Sequence, residues 1–185
     1  MAFRLLLLIL IAGPAWAAEV AGVQIAERAT VAKTDLVLNG AGLRRRVIFD
    51  VYAMGLYVRE KSANPAILLQ QHGPRRVALH MLRDVPADQF SDALADGIRE
   101  NHSVAEVKAL LPRLGQLVIV MAEVKEAKKG MAIMLDWTGN GTQVLIDGKP
   151  VGKPIAGEDF YRALLRIWLG EHAVQEDLKK ALLGL

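Results

Sequence analysis

The sequence predicts an α+β fold in a single domain, and three observations support this prediction. Segments rich in Val, Ile, Phe and Tyr, which are typical of strands, dominate the stretch from Val20 to Asp84. A middle block then shows apolar residues at helical spacing. After it, a Gly-Asn-Gly hairpin signal at 139–141 precedes the last helical segments. Strands and helices that are grouped along the chain in this way indicate α+β.

The N-terminus has the pattern of a secretory signal peptide. Arg4 precedes an apolar run over residues 5–12, Gly13-Pro14 follows, and Ala15-Trp16-Ala17 fits a small-x-small cleavage site. The run is shorter than the roughly 20 apolar residues that a membrane span needs. We therefore expect residues 1–17 to be cleaved and residues 18–185 to form one exported domain without a membrane span. In a bacterium that domain would be periplasmic, with secretion as an alternative.

Composition narrows the range of functions. The 185 residues carry a formal net charge of only +3, with basic and acidic side chains interspersed, whereas a nucleic-acid binder needs a dense basic face. The chain has no cysteine, which excludes disulfides, thiolate metal sites and a cysteine nucleophile. About 170 residues are enough to bury a substantial core without such cross-links. We expect no cofactor, and the sequence does not indicate a protein partner.

The first block reads mainly as strands. A strand over Leu36–Leu38 is predicted to end in a turn at Asn39–Gly42, because glycine adopts turn conformations without strain. A second strand is predicted over Val47–Val58, where the odd-numbered positions form the cleaner apolar face. A short helix at Pro65–Gln71 and another strand at Arg75–Asp84 complete this block.

The middle block predicts helices. Phe90, Leu94 and Ile98 recur four apart and form one stripe of a helix that begins near Pro86. Gly97 beside this stripe lowers helix stability, so we expect either a close neighbour or an open space there.

A second helix is predicted from the capping box formed by Ser103 and Glu106, with a kink near Pro112. The last block predicts a hairpin of strands 131–138 and 142–147, a helix that ends at Gly170, and a short terminal helix.

The sequence contains no recognisable catalytic or metal motif. Its histidines show no ligand spacing, its glycine clusters match no phosphate-binding fingerprint, and no G-x-S-x-G is present. We therefore predict no catalytic residues and no metal site. The one local oddity is Arg44-Arg45-Arg46. The triplet is either a solvated turn or the source of one guanidinium that binds a carboxylate, for which its planar donor fork is suited.

Four segments of the chain resemble the chalcone isomerase-fold family. They are Leu38-Asn39-Gly40-Ala41-Gly42-Leu43-Arg44, Val51-Tyr52-Ala53-Met54-Gly55-Leu56-Tyr57-Val58, Gly157-Glu158-Asp159-Phe160-Tyr161 and Ile167-Trp168-Leu169-Gly170. The last two are similar to the family's bacterial branch. Together with the helical middle, the resemblance covers nearly all of the chain after residue 17. It implies an open-faced β-sandwich, in which a long antiparallel sheet is packed on one face by helices that border a ligand cleft.

The resemblance also implies five site positions. The family's arginine, which stabilises developing negative charge, falls on Arg44. Its catalytic threonine falls on Tyr52 and its tyrosine on Phe90, while the asparagine and hydroxyl residue that hold the substrate fall on Gly97 and Ile167. Phe90, Gly97 and Ile167 offer no side-chain hydrogen bonds. Three missing partners at about 1 to 3 kcal/mol each would slow flavanone formation by several orders of magnitude, so we expect no such activity.

The same family includes fatty-acid binders that hold a carboxylate with an arginine and a tyrosine, which Arg44 and Tyr52 resemble. The replacements Phe90, Gly97 and Ile167 would make the cleft more apolar and larger. Our leading interpretation is a non-catalytic protein that binds a fatty acid or a similar amphipathic carboxylate. The alternatives are an isomerase or lyase for unsaturated carbonyl compounds, with Tyr52 as proton donor, and an envelope interaction module without a ligand.

Eight residues of unbroken strand would place Arg44 about 26 Å from Tyr52, so a shared site requires the chain to turn between them.

Overall fold

The structure is a computed structural model that describes residues 16–185. Residues 1–15 of the predicted signal peptide lie outside the described residues, so the leader stays a prediction. Cleavage after Ala17 would leave Ala18–Val20 of the first strand in the mature chain.

Eleven strands and five helices are described. The strands are β1 (Trp16–Val20), β2 (Val23–Ala26), β3 (Arg28–Val31), β4 (Thr34–Arg46), β5 (Phe49–Val58), β6 (Arg75–Met81), β7 (Val85–Pro86), β8 (Glu126–Ala127), β9 (Ala132–Trp137), β10 (Thr142–Ile146) and β11 (Lys149–Ile155). The helices are α1 (Pro65–Gln70), α2 (Ala87–Glu100), α3 (Val104–Ala122), α4 (Glu158–Leu169) and α5 (Glu176–Leu182).

A seven-stranded antiparallel sheet in the order β11-β10-β9-β6-β5-β4-β3 forms the centre of the fold. Strand pairs β1-β2 and β7-β8 form two small additional sheets. All five helices contribute residues to one apolar core on one side of the large sheet. A smaller cluster on its other face is covered by the β1-β2 hairpin, including Ile25. The α+β prediction, with a long antiparallel sheet and helices on one face, is confirmed.

The predicted turn at Asn39–Gly42 is wrong, because β4 runs through this segment. Its glycines serve close packing instead of chain reversal. A Cβ atom at Gly40 would lie only 2.1 Å from the carbonyl oxygen of Ala181, and one at Gly42 would lie 2.7 Å from the Ala181 Cβ. Helix α5 therefore lies directly on the backbone of β4, which a side chain at either position would prevent.

The chain instead reverses at Val47–Ile48, between β4 and β5. This also corrects the face assignment of the predicted strand, because its even positions Tyr52, Met54 and Leu56 face the helical core. Of the odd positions, Tyr57 belongs to the smaller cluster on the opposite face. Both faces of β5 are buried, so alternation could not identify the helix-facing side.

The helix predictions are confirmed. The α2 stripe is buried, the capping box of Ser103 and Glu106 starts α3, and Gly170 caps α4. Helix α3 continues through Pro112, and the kink expected there stays a prediction. The hairpin of β9 and β10 is confirmed as well. The edge strand β11 was not predicted; it contains Pro150 and Pro154, which are tolerated at a sheet edge.

Candidate functional site

Arg44 and Tyr52 are direct cross-strand partners on β4 and β5. The reversal at Val47–Ile48 supplies the turn that a shared site requires, so both side chains lie on the same face of the sheet. That face is the helical side, because Tyr52 is part of the helical core. The structure therefore places side by side two residues that an unbroken strand would have separated.

Arg44 is half-buried at the margin of the core, and helix α5 fixes its position. Its Nη1 donates to Gln175 Oε1 at 3.3 Å and to the carbonyl oxygen of Arg45. The Gln175 side chain also binds the β4 backbone, accepting from Arg45 N at 2.8 Å and donating to Leu43 O at 3.2 Å. Gln175 immediately precedes α5, so the docking of this helix on Gly40 and Gly42 also positions Arg44.

Within the described part of the chain, the acceptors that hold Arg44 are neutral oxygens. Other arginines have carboxylate partners, such as Arg45 with Asp50 at 2.7 Å and Arg76 with Asp136 at 2.6 Å. Arg44 therefore keeps a positive charge that no described carboxylate contact neutralises. A half-buried cation of this kind is suited to an anionic partner, because charge-assisted hydrogen bonds are roughly twice as strong as neutral ones.

Tyr52 is held by Trp168 of α4, whose indole Nε1 donates to the phenol oxygen at 2.9 Å. An indole can only donate, so Tyr52 accepts here and its own hydroxyl proton is not used in this bond. Burial raises the pKa of Tyr52 above its usual value of 10.0, although Trp168 and the Arg44 guanidinium oppose this shift. The phenol is therefore neutral at physiological pH and is able to donate a hydrogen bond.

The other three predicted site residues lie in the core between α2 and α4. Phe90 and Ile167 are buried, and Gly97 of α2 packs against Ile167 of α4. A Cβ atom at Gly97 would lie 2.7 Å from Ile167 Cγ2. The surroundings are apolar, as expected. Of the two alternatives for Gly97, the close neighbour is correct, whereas the expectation of a roomier cleft is wrong at this position because Ile167 fills the space.

Two surface depressions lie away from these residues. One, of about 280 Å³, lies between α3 and α4 and includes Glu106 and Arg162. The other, of about 370 Å³, includes Asn39 and Ser62. Neither of these two depressions is lined by any of the five predicted site residues.

Two residues of the site escaped sequence reasoning. Trp168 lies in one of the segments that resemble the family, but the sequence indicates no role for it, although an indole N–H needs a partner when buried. Gln175 gave no signal at all, because its role depends on contacts with a strand about 130 positions earlier in the chain.

Among residues 16–185 no cluster of three or more His, Cys, Asp or Glu side chains could hold a metal ion. Over the same range, no helix combines the length and apolarity needed to cross a membrane.

The long antiparallel sheet and the helical layer on one of its faces define an open-faced β-sandwich, and the arginine–tyrosine pair lies on its helical side. The chain belongs to the chalcone isomerase-like family, whose family model matches residues 17–184. Among solved structures, it is similar to the crystal structure of a fatty-acid binding protein of Arabidopsis thaliana. The two share 16% identity over 88% of this chain and 92% of that chain, with a TM-score of 0.69. This likeness confirms the fold type, and no curated protein matches the chain by sequence.

Proposed function

We propose that this protein is an exported, non-catalytic binding protein for a fatty acid or a similar amphipathic carboxylate. The Arg44–Tyr52 pair is the observation that carries the proposal. One carboxylate oxygen would accept from the guanidinium and the other from the phenol O–H of Tyr52. Both donors are already held in place, by Gln175 and by Trp168, so little side-chain entropy is lost on binding.

The acyl chain would lie among the apolar side chains between the sheet and helices α2 and α4. Phe90, Gly97 and Ile167 belong to that region, where Ile167 fills the space next to the glycine. Binding therefore requires Ile167 and its neighbours to move, and the free energy of burying the acyl methylenes, about 0.8 kcal/mol each, offsets that rearrangement.

Two further considerations support binding without catalysis. A protein with the same fold is described as a fatty-acid binding protein. For the isomerase alternative, Tyr52 would have to act as a proton donor, and acid–base catalysts work best with a pKa near the operating pH. Burial shifts the pKa of Tyr52 in the opposite direction.

The test is a comparison of dodecanoate with dodecanol on the full chain. Affinity is measured by calorimetry, and native mass spectrometry of gently purified protein detects any lipid carried through purification. A charge-assisted hydrogen bond contributes about 1.5–3 kcal/mol, so Arg44→Ala should weaken dodecanoate binding about 10- to 150-fold. Tyr52→Phe should have a smaller effect in the same direction.

The control variant is Arg28→Ala, which removes an exposed arginine of β3 and should leave the affinity unchanged. Dodecanol lacks the carboxylate, so its binding should be weak and insensitive to Arg44→Ala. An empty protein with no affinity for dodecanoate, or equal affinities in the wild type and Arg44→Ala, would refute the proposal.

Export is tested separately. Expression of the full chain in a bacterium, followed by fractionation and intact-mass measurement, should yield a periplasmic protein that begins at Ala18. Uncleaved protein confined to the cytoplasm would refute this part of the proposal and leave the binding measurement unaffected.

A further inference from the structure

The tip of the β4–β5 hairpin exposes three consecutive apolar side chains. The exposed fractions are 88% for Val47, 80% for Ile48 and 54% for Phe49. Single exposed apolar residues are common, but a contiguous group at a turn is not, because turns favour Gly, Asn, Asp and Ser. The tip therefore has the composition of a contact surface.

The backbone of the turn strengthens this argument. Val47 has a φ of +57°, in the left-handed region that β-branched residues rarely adopt. Two-residue hairpin turns with positive φ strongly prefer Asn or Gly. At this position the chain thus carries an apolar side chain at a cost to the turn, which points to a role for that side chain outside the folded domain.

Basic residues surround the tip. Arg45 and Arg46 precede it, and the guanidinium of Arg83, which follows β6, lies 4.8 Å from the centre of the Phe49 ring. Arg46 and Arg83 are exposed. The nearby carboxylate of Asp50 is paired with Arg45 at 2.7 Å.

The loop before β9 adds two exposed lysines at the same end of the sheet. Its position next to the end of β6 is fixed by a hydrogen bond from Gly130 N to Met81 O at 2.8 Å. The carboxylate of Asp84 is engaged here, since it accepts from the backbone N–H of Lys129 at 2.7 Å. Lys128 and Lys129 extend the basic rim around the apolar tip.

We infer that this tip, defined by Val47, Ile48 and Phe49 with its basic rim, docks on the surface of an anionic lipid bilayer. The apolar side chains enter the boundary between headgroups and acyl chains, and the arginines and lysines contact lipid phosphates. Charge favours this occupant over a second copy of the chain. A two-fold contact between tips would bring like-charged arginines together, which is unfavourable.

The inference goes beyond carboxylate binding and does not depend on it. Arg44 lies three residues before the turn, about 10 Å along the strand, so docking would bring the Arg44–Tyr52 site close to the bilayer. Vesicle binding is nevertheless measured without fatty acid, so the two proposals can fail separately.

Flotation of the mature domain, residues 18–185, with vesicles tests the inference. We expect binding to vesicles of phosphatidylglycerol and phosphatidylethanolamine, weakening as salt rises, and little binding to phosphatidylcholine vesicles. Ile48→Asp should reduce binding at least tenfold. The matched control is Val104→Asp, since Val104 is 87% exposed and begins α3, where an acidic residue is compatible with the helix dipole.

Charge variants test the basic rim. Arg46→Gln with Arg83→Gln should reduce binding about 25-fold, because each basic residue near an anionic surface contributes about fivefold. The control pair, Arg28→Gln with Arg59→Gln, removes the same charge from exposed positions outside the tip. Circular dichroism verifies that each variant is folded.

Three outcomes would overturn the inference. They are absence of vesicle binding, equal binding to neutral and anionic vesicles, and equal losses for Ile48→Asp and Val104→Asp. Concentration-dependent self-association that Ile48→Asp abolishes, without vesicle binding, would instead assign the tip to a contact between copies. Ile48→Asp should retain the wild-type affinity for dodecanoate in vesicle-free buffer.

Discussion

The packing of α5 on β4 predicts opposite effects for two glycine-to-alanine substitutions. In Gly40→Ala, the new Cβ would lie 2.1 Å from Ala181 O and 2.7 Å from the carbonyl carbon of Leu182. Both contacts are with backbone atoms, which cannot rotate away as side chains do. Helix α5 must therefore shift as a unit. In Gly115→Ala, the new Cβ meets nothing within 4 Å on the exposed side of α3.

The size of the Gly40→Ala effect follows from what α5 buries. Overpacking alone costs about 1–3 kcal/mol. Complete undocking would expose Leu178 and Leu182, at about 1.5–3 kcal/mol for each side chain. We expect a loss of about 3 kcal/mol in the free energy of unfolding, with 6 kcal/mol as the approximate upper limit from these two leucines. Gly115→Ala should instead gain about 1 kcal/mol from helix propensity.

Equilibrium unfolding in urea, followed by circular dichroism, measures both changes, and an unchanged m-value shows that the unfolded states are comparable. A Gly40→Ala protein within 0.5 kcal/mol of the wild type would refute the reasoning about close packing, and so would a shift of the same sign in both variants. Because Gln175 at the start of α5 holds Arg44, Gly40→Ala should also weaken carboxylate binding, whereas Gly115→Ala should not.

Three further predictions concern stability and ionisation. Asn39→Ala should destabilise the domain by about 2–4 kcal/mol in urea unfolding, since the Asn39 amide binds Leu182 O and both the N–H and the carbonyl of Ser62. Burial raises the pKa of Tyr52, Tyr57 and Tyr161, so at pH 10 absorbance near 295 nm should show less phenolate in the folded protein than in the urea-unfolded protein. The native state then holds these protons more tightly, so stability should fall as the pH rises above 10, and an ordinary phenolate titration in folded protein would contradict this. Val47→Asn should raise the melting temperature by about 2–4 °C through relief of the positive φ, while weakening vesicle binding.

Local signals predicted most of the helices and the hairpin of β9 and β10. The capping box at Ser103 and the glycines at 139–141 act within a few residues, so the sequence alone was sufficient. Gly40 and Gly42 were misread as a turn because their role depends on α5, which lies about 140 residues later in the chain. Glycine permits both chain reversal and close approach, and only the tertiary partner distinguishes them.

In the candidate site, too, the residue types could be predicted from the sequence, whereas the tertiary contacts could not. Arg44 and Tyr52 could be chosen from the sequence, but their proximity depends on where the chain reverses. That reversal falls at Val47–Ile48, which has none of the residues that usually mark a turn. The supposed space at Gly97 could not be assessed without Ile167, which lies on a different helix.

A comparison with Arg75 shows why Arg44 is the better anion-binding residue. Arg75 is completely buried, and its charge is paired with Glu158. Burial lowers its pKa, and Glu158 already compensates its charge. A ligand carboxylate that reached its two unpartnered nitrogens would be buried beside that like-charged carboxylate, at a high desolvation cost. Arg44 is half-buried and bound by neutral oxygens, so its desolvation cost is smaller and its charge is not neutralised by a described partner. Arg44 lies at the margin of an apolar core, beside a neutral phenol. There the carboxylate of a ligand would bind the two donors, and its aliphatic tail would be buried in the core.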